Sequence, residues 1–128
     1  MENKKTQFPP GLRTWFVIHF AADMLFGIPL LFFPEFFMPL LGWTLVDPIT
    51  SRLVGAALIG IGGESLLSRN ASRDVFKALL SLKIIWASAA VIGLVLGIIN
   101  GAPTLAWGFL VIFVGFLGVW IYYQKKLA

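Results

Sequence analysis

The stretch WFVIHFAADMLFGIPLLFF, residues 15–33, decides how the rest of the chain is read. As a helix its nineteen almost uniformly apolar residues reach about 28 Å, the thickness of one hydrocarbon core. His19 and Asp23 interrupt it four residues apart, so they lie on one face, a turn apart. A carboxylate near a bilayer midplane costs on the order of 3 kcal/mol, so Asp23 needs partners inside the protein. Two later apolar segments offer them, through Glu64 and Lys83.

The composition points the same way. Of 128 residues, 59% are hydrophobic and 12% charged, about half the charged share of a soluble domain. Four long apolar runs occupy most of the length, at about 14–33, 49–68, 76–99 and 104–123, which leaves room for one membrane domain, 12–128, behind a disordered tail, 1–11. The tail imitates the start of a signal peptide, but the run behind it is too long, and Asp23 too central, for one that is cleaved. With no cysteine there is no disulfide, thiolate nucleophile or Cys-based metal site. The net charge of +4 sits at the ends of apolar segments and orients a membrane protein, so no nucleic-acid partner is expected.

The expected architecture is an all-α, four-helix transmembrane bundle with short connections. Gly27 and Pro29 suggest a kink in the first span, and Phe33-Pro34 ends it. PEFFMPLLGW, residues 34–43, is too short to span and reads as an interfacial helix closed by Gly42, with Trp43 at headgroup level; a lid over the polar interior is the alternative. Asp47-Pro48 caps the second span, whose face through Ala57, Gly60, Glu64 and Ser68 should turn Glu64 inward. Ser72 with Asp74 caps the third, which carries Lys83, Ala87, Ala90, Gly93 and Gly97 along one side. Pro103 opens the fourth, whose packing face is Gly108, Gly115 and Gly118 and whose end carries Trp120, Tyr122 and Tyr123 ahead of Lys125 and Lys126. The basic residues cluster in the tail, in the second connection (Arg69, Arg73, Lys77) and at the C-terminus, which predicts both termini in the cytoplasm of a prokaryotic plasma membrane. The glycine faces allow a homodimer or larger assembly.

By depth, His19, Glu64 and Lys83 fall within about one helical turn of each other, with Asp23 a turn deeper. This layer is the candidate site. It either binds or transports a proton, an ion or a small polar or amphipathic molecule, or it only fixes helix packing in an accessory subunit. Arg52, Asp47 and Glu35 are expected to make ionic contacts at the other end. One histidine and no cysteine argue against a metal site. No motif surrounds a serine nucleophile and no phosphate loop precedes a helix, so no cofactor and no enzyme activity are expected.

The segments PLLG at 39–42 and RLVGAALIGIG at 52–62 resemble those of small four-span membrane proteins, DoxX-like and related families of unknown function. That resemblance implies the four-span plan and, for some DoxX-like proteins, quinone or thiol redox chemistry. The absence of cysteine speaks against the thiol part, and no catalytic residue carries over.

Overall fold

The computed structural model describes residues 8–128 as five helices and no strand. They are α1 (Leu12–Phe32), α2 (Pro34–Leu40), α3 (Pro48–Leu67), α4 (Arg73–Ile99) and α5 (Leu105–Leu127). Three of them, α1, α4 and α5, are long and apolar enough to cross a membrane. The fourth long helix, α3, falls short because glycines, hydroxyls, Arg52 and Glu64 dilute its apolar content. Large apolar side chains face outward on the three apolar helices, among them Leu25, Ile85 and Val111. So much exposed hydrocarbon suits lipid rather than water.

Helix boundaries follow the local chemistry. Asp47 Oδ1 accepts from the Ile49 amide at 3.2 Å and Pro48 occupies the first helical position, where its missing N–H is no loss. The Thr50 hydroxyl also donates to Asp47 Oδ2 at 2.6 Å, which holds that exposed carboxyl below its ordinary pKa. At α4, Ser72 Oγ accepts from the Val75 amide at 3.4 Å. Gly42 takes φ +103°, a left-handed conformation that suits glycine, where the chain leaves α2. α1 continues through Pro29 to Phe32.

The helices associate as two antiparallel pairs. α1 lies along α3, and α4 along α5. In the first pair Gly27, Gly55 and Gly62 let the backbones touch: a Cβ on Gly55 would stand 2.7 Å from Leu31 N and 2.8 Å from Gly27 O. The buried stripe of α3 is therefore Gly55, Leu58, Gly62 and Ser65, about 135° around from the expected one. Glu64, expected to point inward, is exposed as a result. The outer glycines correct the sequence reading in the same way. Nothing lies within 4 Å of a Cβ built on Gly60, Gly63, Gly93, Gly115 or Gly118.

Between the pairs the backbones stay apart and large side chains bridge the gap. At one end the bridge is a tight cluster of Leu12, Phe16, Phe76, Leu80, Trp120, Tyr123 and Leu127. The Phe16 ring meets Phe76 edge-on at 4.9 Å and Trp120 at 5.9 Å. Tyr123 Oη donates to Pro10 O at 2.7 Å, and Arg73 Nη2 to Leu127 O at 2.6 Å, so the two ends of the described chain meet here. Of the expected tail, residues 1–7 lie outside the described residues, while the Phe8 ring packs on Phe76 at 5.1 Å. At the other end the same gap is hollow.

Candidate functional site

The polar residues sit where the packed end gives way to the hollow one. Their helices place them by simple periodicity. The buried stripe of α1 runs Leu12, Phe16, His19, Asp23, Gly27, Leu30, at intervals of three and four. That of α4 runs Phe76, Leu80, Lys83, Ala87. α1 and α4 both run antiparallel to α5, hence parallel to each other, and their stripes meet at His19 and Lys83.

Among the described residues Lys83 is the most enclosed charged group, with 2% of its surface exposed. Its ammonium donates to His19 Nδ1 at 2.7 Å and to Ser65 Oγ, tying α4 to α1 and α3. The Ser65 hydroxyl in turn donates to Ile61 O at 2.9 Å. The faces of Phe16 and Trp120 close over the charge, with ring centroids 4.7 and 5.0 Å from Nζ. An ammonium only donates, so His19 Nδ1 accepts and its proton lies on Nε2. That nitrogen faces Asp23 Oδ2 at 3.4 Å, close enough for attraction but too poorly placed to be a hydrogen bond. Asp23 Oδ2 therefore has no hydrogen-bond partner although Asp23 is only 6% exposed. Such an atom ordinarily leaves about 1–3 kcal/mol unrecovered.

The orphaned oxygen is turned toward α3, where a Cβ built on Gly62 would stand 3.1 Å from it, while other atoms of Asp23 line a chamber of about 390 Å³ between the two helix pairs. Its walls are aromatic and aliphatic: Phe26 meets Phe109 edge-on at 5.3 Å, Trp86 meets Phe113 at 6.2 Å, and Phe116 stacks on Trp120 at 5.6 Å. His19 and Asp23 form the polar part of the floor. At the far end Phe37, Met38, Leu41 and Trp43 line the space, so α2 and the turn after it form part of the chamber wall. Phe36 and Leu40 of α2 face outward, as an interfacial anchor would.

Of the expected layer, then, three members meet and one does not. His19, Asp23 and Lys83 form a chain, while Glu64, itself exposed, accepts from the hydroxyl of buried Ser68 at 2.6 Å, apart from that chain. The second expected group also separates. Arg52 Nε donates to Leu31 O at 3.1 Å, a carbonyl in the last turn of α1 where a cation is favoured. Asp47 caps α3, and among the described residues no ion pair joins Arg52 to Asp47 or Glu35. Ser65 and Trp86 were not singled out in the sequence as part of the layer. Ser65 lies one turn from Gly62 on the inner face, and Trp86 one turn from Lys83, so both were within reach of the same periodicity. Among the described residues no three His, Asp or Glu side chains gather as a metal site would need. No family model, no curated protein and no solved structure matches the chain.

Proposed function

We propose that the chain is a four-span membrane protein that holds a small amphipathic molecule in the chamber, with the molecule's polar group on the floor at His19 and Asp23. The observation that carries this reading is an apolar chamber large enough for a ligand, with the side chains of His19 and Asp23 among its few polar walls. Apolar lining suits an apolar body, and the few polar side chains among the walls, His19 and Asp23 with Thr50 and Ser51, suit a small polar group. The Lys83 bonds favour a second role alongside it, since they tie three helices together whether or not the chamber is filled. A protein in which they do nothing else is the accessory-subunit reading. Release of the bound molecule to both faces of the bilayer would make the protein a transporter.

The four-span plan is supported by the length of α3, 20 residues against 21 in α1, and by its position alongside α1. The bases at Arg69, Arg73, Lys77, Lys125 and Lys126 gather at the packed end, which the positive-inside rule places in the cytoplasm. The outward glycines of α4 and α5 leave flat strips on which a second copy would seat. Single cysteines at Thr44 and Asn100, both exposed, are expected to react with an impermeant maleimide from outside intact cells. Cysteines at Asn70 and Ala128 are expected to react only after lysis. The reverse pattern inverts the topology, and a mixed one removes a span.

Occupancy of the chamber is tested by tryptophan emission. Trp43, Trp86 and Trp120 line it, so a brominated twelve-carbon amphiphile added to nanodiscs is expected to quench them. Ala90 also lines the chamber, and Ala90→Phe should fill much of it and abolish that part of the quenching while leaving the helix content unchanged. Equal quenching of both proteins would mean that the bromine reports only on surrounding lipid.

A further inference from the structure

The dimensions of the chamber restrict what can fill it. Its lining runs along α1 from His19 to Leu30 and along α5 from Trp120 to Phe109. Each stretch is eleven residue steps, so both helices give a length of about 16 Å. A volume of about 390 Å³ spread over about 16 Å leaves a mean cross-section of about 24 Å². The side chains account for so narrow a space. From α5, Phe109 meets Phe26 at 5.3 Å and Phe113 meets Trp86 at 6.2 Å, so paired rings take up much of the gap. Ala22 on α1 and Ala87 and Ala90 on α4 are too short to reach inward, and the room lies in front of them.

Resting on the chamber reading above, we infer that the chamber is a ruler for one unbranched hydrocarbon chain of about twelve carbons. The chain lies along the bundle axis with its polar end at the floor. With C–C bonds of about 1.5 Å at tetrahedral angles, an extended chain advances about 1.3 Å per carbon. A length of about 16 Å therefore holds about twelve carbons. The volume gives the count separately: at ~30 Å³ for each chain carbon, a water's share of liquid, 390 Å³ holds about thirteen heavy atoms. In a short, wide space the volume would admit many more carbons than the length, and here the two agree. An extended chain at ~30 Å³ for every 1.3 Å already has a section of about 23 Å². Fused rings, methyl branches or a second chain alongside would need more than the space offers. A chain much longer than twelve carbons meets the far end, where Phe37, Met38 and Trp43 line the space, and must bend or protrude. A shorter one leaves a void whose lining loses its contacts.

The test is competition in nanodiscs against the brominated probe, read as recovery of tryptophan emission. The competitors are 1-octanol, 1-dodecanol, 1-hexadecanol, cyclododecanol and farnesol, each corrected for its partition into protein-free discs. The first three share one small head and differ only in length. Cyclododecanol closes the carbons of 1-dodecanol into a ring, and farnesol matches its length but carries methyl branches. 1-Dodecanol is expected to displace the probe at no more than about one-tenth the mole fraction that 1-octanol needs, because each missing carbon leaves a void worth up to about threefold. 1-Hexadecanol should gain nothing over 1-dodecanol, and the cyclic and branched alcohols should be at least about tenfold weaker. Ala90 stands seven residues beyond Lys83, about 10 Å above the floor, so Ala90→Phe should shorten the ruler to about eight carbons. A brominated eight-carbon probe should then quench that variant while the twelve-carbon probe does not. Quenching of the variant by both probes, or by neither, overturns the ruler. If cyclododecanol or farnesol competes as well as 1-dodecanol in the wild type, or potency keeps rising to 1-hexadecanol, the single-chain inference is overturned while the chamber reading stands. If no competitor restores emission, the chamber reading itself fails.

Discussion

Lys83→Met is expected to destabilise the bundle by about 3–5 kcal/mol, the range for removing one partner of a buried charge pair. Methionine matches the reach of lysine but donates nothing. It would leave His19 Nδ1 without its donor, release the tie to Ser65, and leave Asp23 as a buried carboxylate with no compensating cation. The rings of Phe16 and Trp120 would keep their packing, so the loss reports on charge and hydrogen bonding rather than on a cavity. Adding Asp23→Asn to Lys83→Met should restore a substantial part of the stability, because the uncompensated charge is gone. Thermal unfolding in nanodiscs, followed by circular dichroism, measures both. A single variant that melts with the wild type would mean that the lysine is satisfied elsewhere and that the His19–Asp23 half stands alone.

The second large effect is steric. Gly55→Val places a branched side chain where even a Cβ would stand 2.7 Å from Leu31 N and 2.8 Å from Gly27 O. These are backbone atoms of α1 and cannot rotate away, so the α1–α3 pair must separate. Overpacking ordinarily costs about 1–3 kcal/mol, and rigid neighbours put this site at the upper end or beyond. The consequence is larger in lipid, where helices associate through close packing rather than through expulsion of water. Gly60→Val, on the same helix with nothing within 4 Å, is the matched control and should melt within about 0.5 kcal/mol of the wild type. Equal melting of the two variants would show that the helices do not touch at Gly55.

These two sites also mark what the sequence could and could not disclose. His19, Asp23 and Lys83 were legible because an ionisable residue within an apolar run has few ways to be satisfied. The inward face of α3 was not. Its small residues are dense enough to support two stripes, one through Gly60 and Glu64 and one through Gly55 and Gly62, and periodicity alone does not choose between them. Contact with Asp23 and Gly27 on α1 chooses, and that is tertiary information. Glu64 was misplaced and Ser65 overlooked for this one reason. The chamber was hidden for another. It exists because Phe16, Phe76 and Trp120 prop the two helix pairs apart at one end while beyond them rings such as Phe26 and Phe109 touch without filling the space, and no local pattern encodes the distance between pairs.

The order in which the polar chain is completed has a bearing on how the protein is made. His19 precedes Lys83 by 64 positions. At 5–20 residues per second the ribosome needs about 3–13 s to cover that gap. During this interval the first apolar helix holds an aspartate with no counter-charge, at a penalty on the order of 3 kcal/mol in the bilayer core. Arrival of the fourth helix brings a compensating charge through His19, which lowers the penalty, and places Ser65 under the same ammonium. A nascent chain that stops before Lys83 therefore keeps a membrane segment at odds with its surroundings. The cell's membrane proteases and chaperones meet a physical difference between unfinished and finished copies, written into one helix by the absence of a single amine.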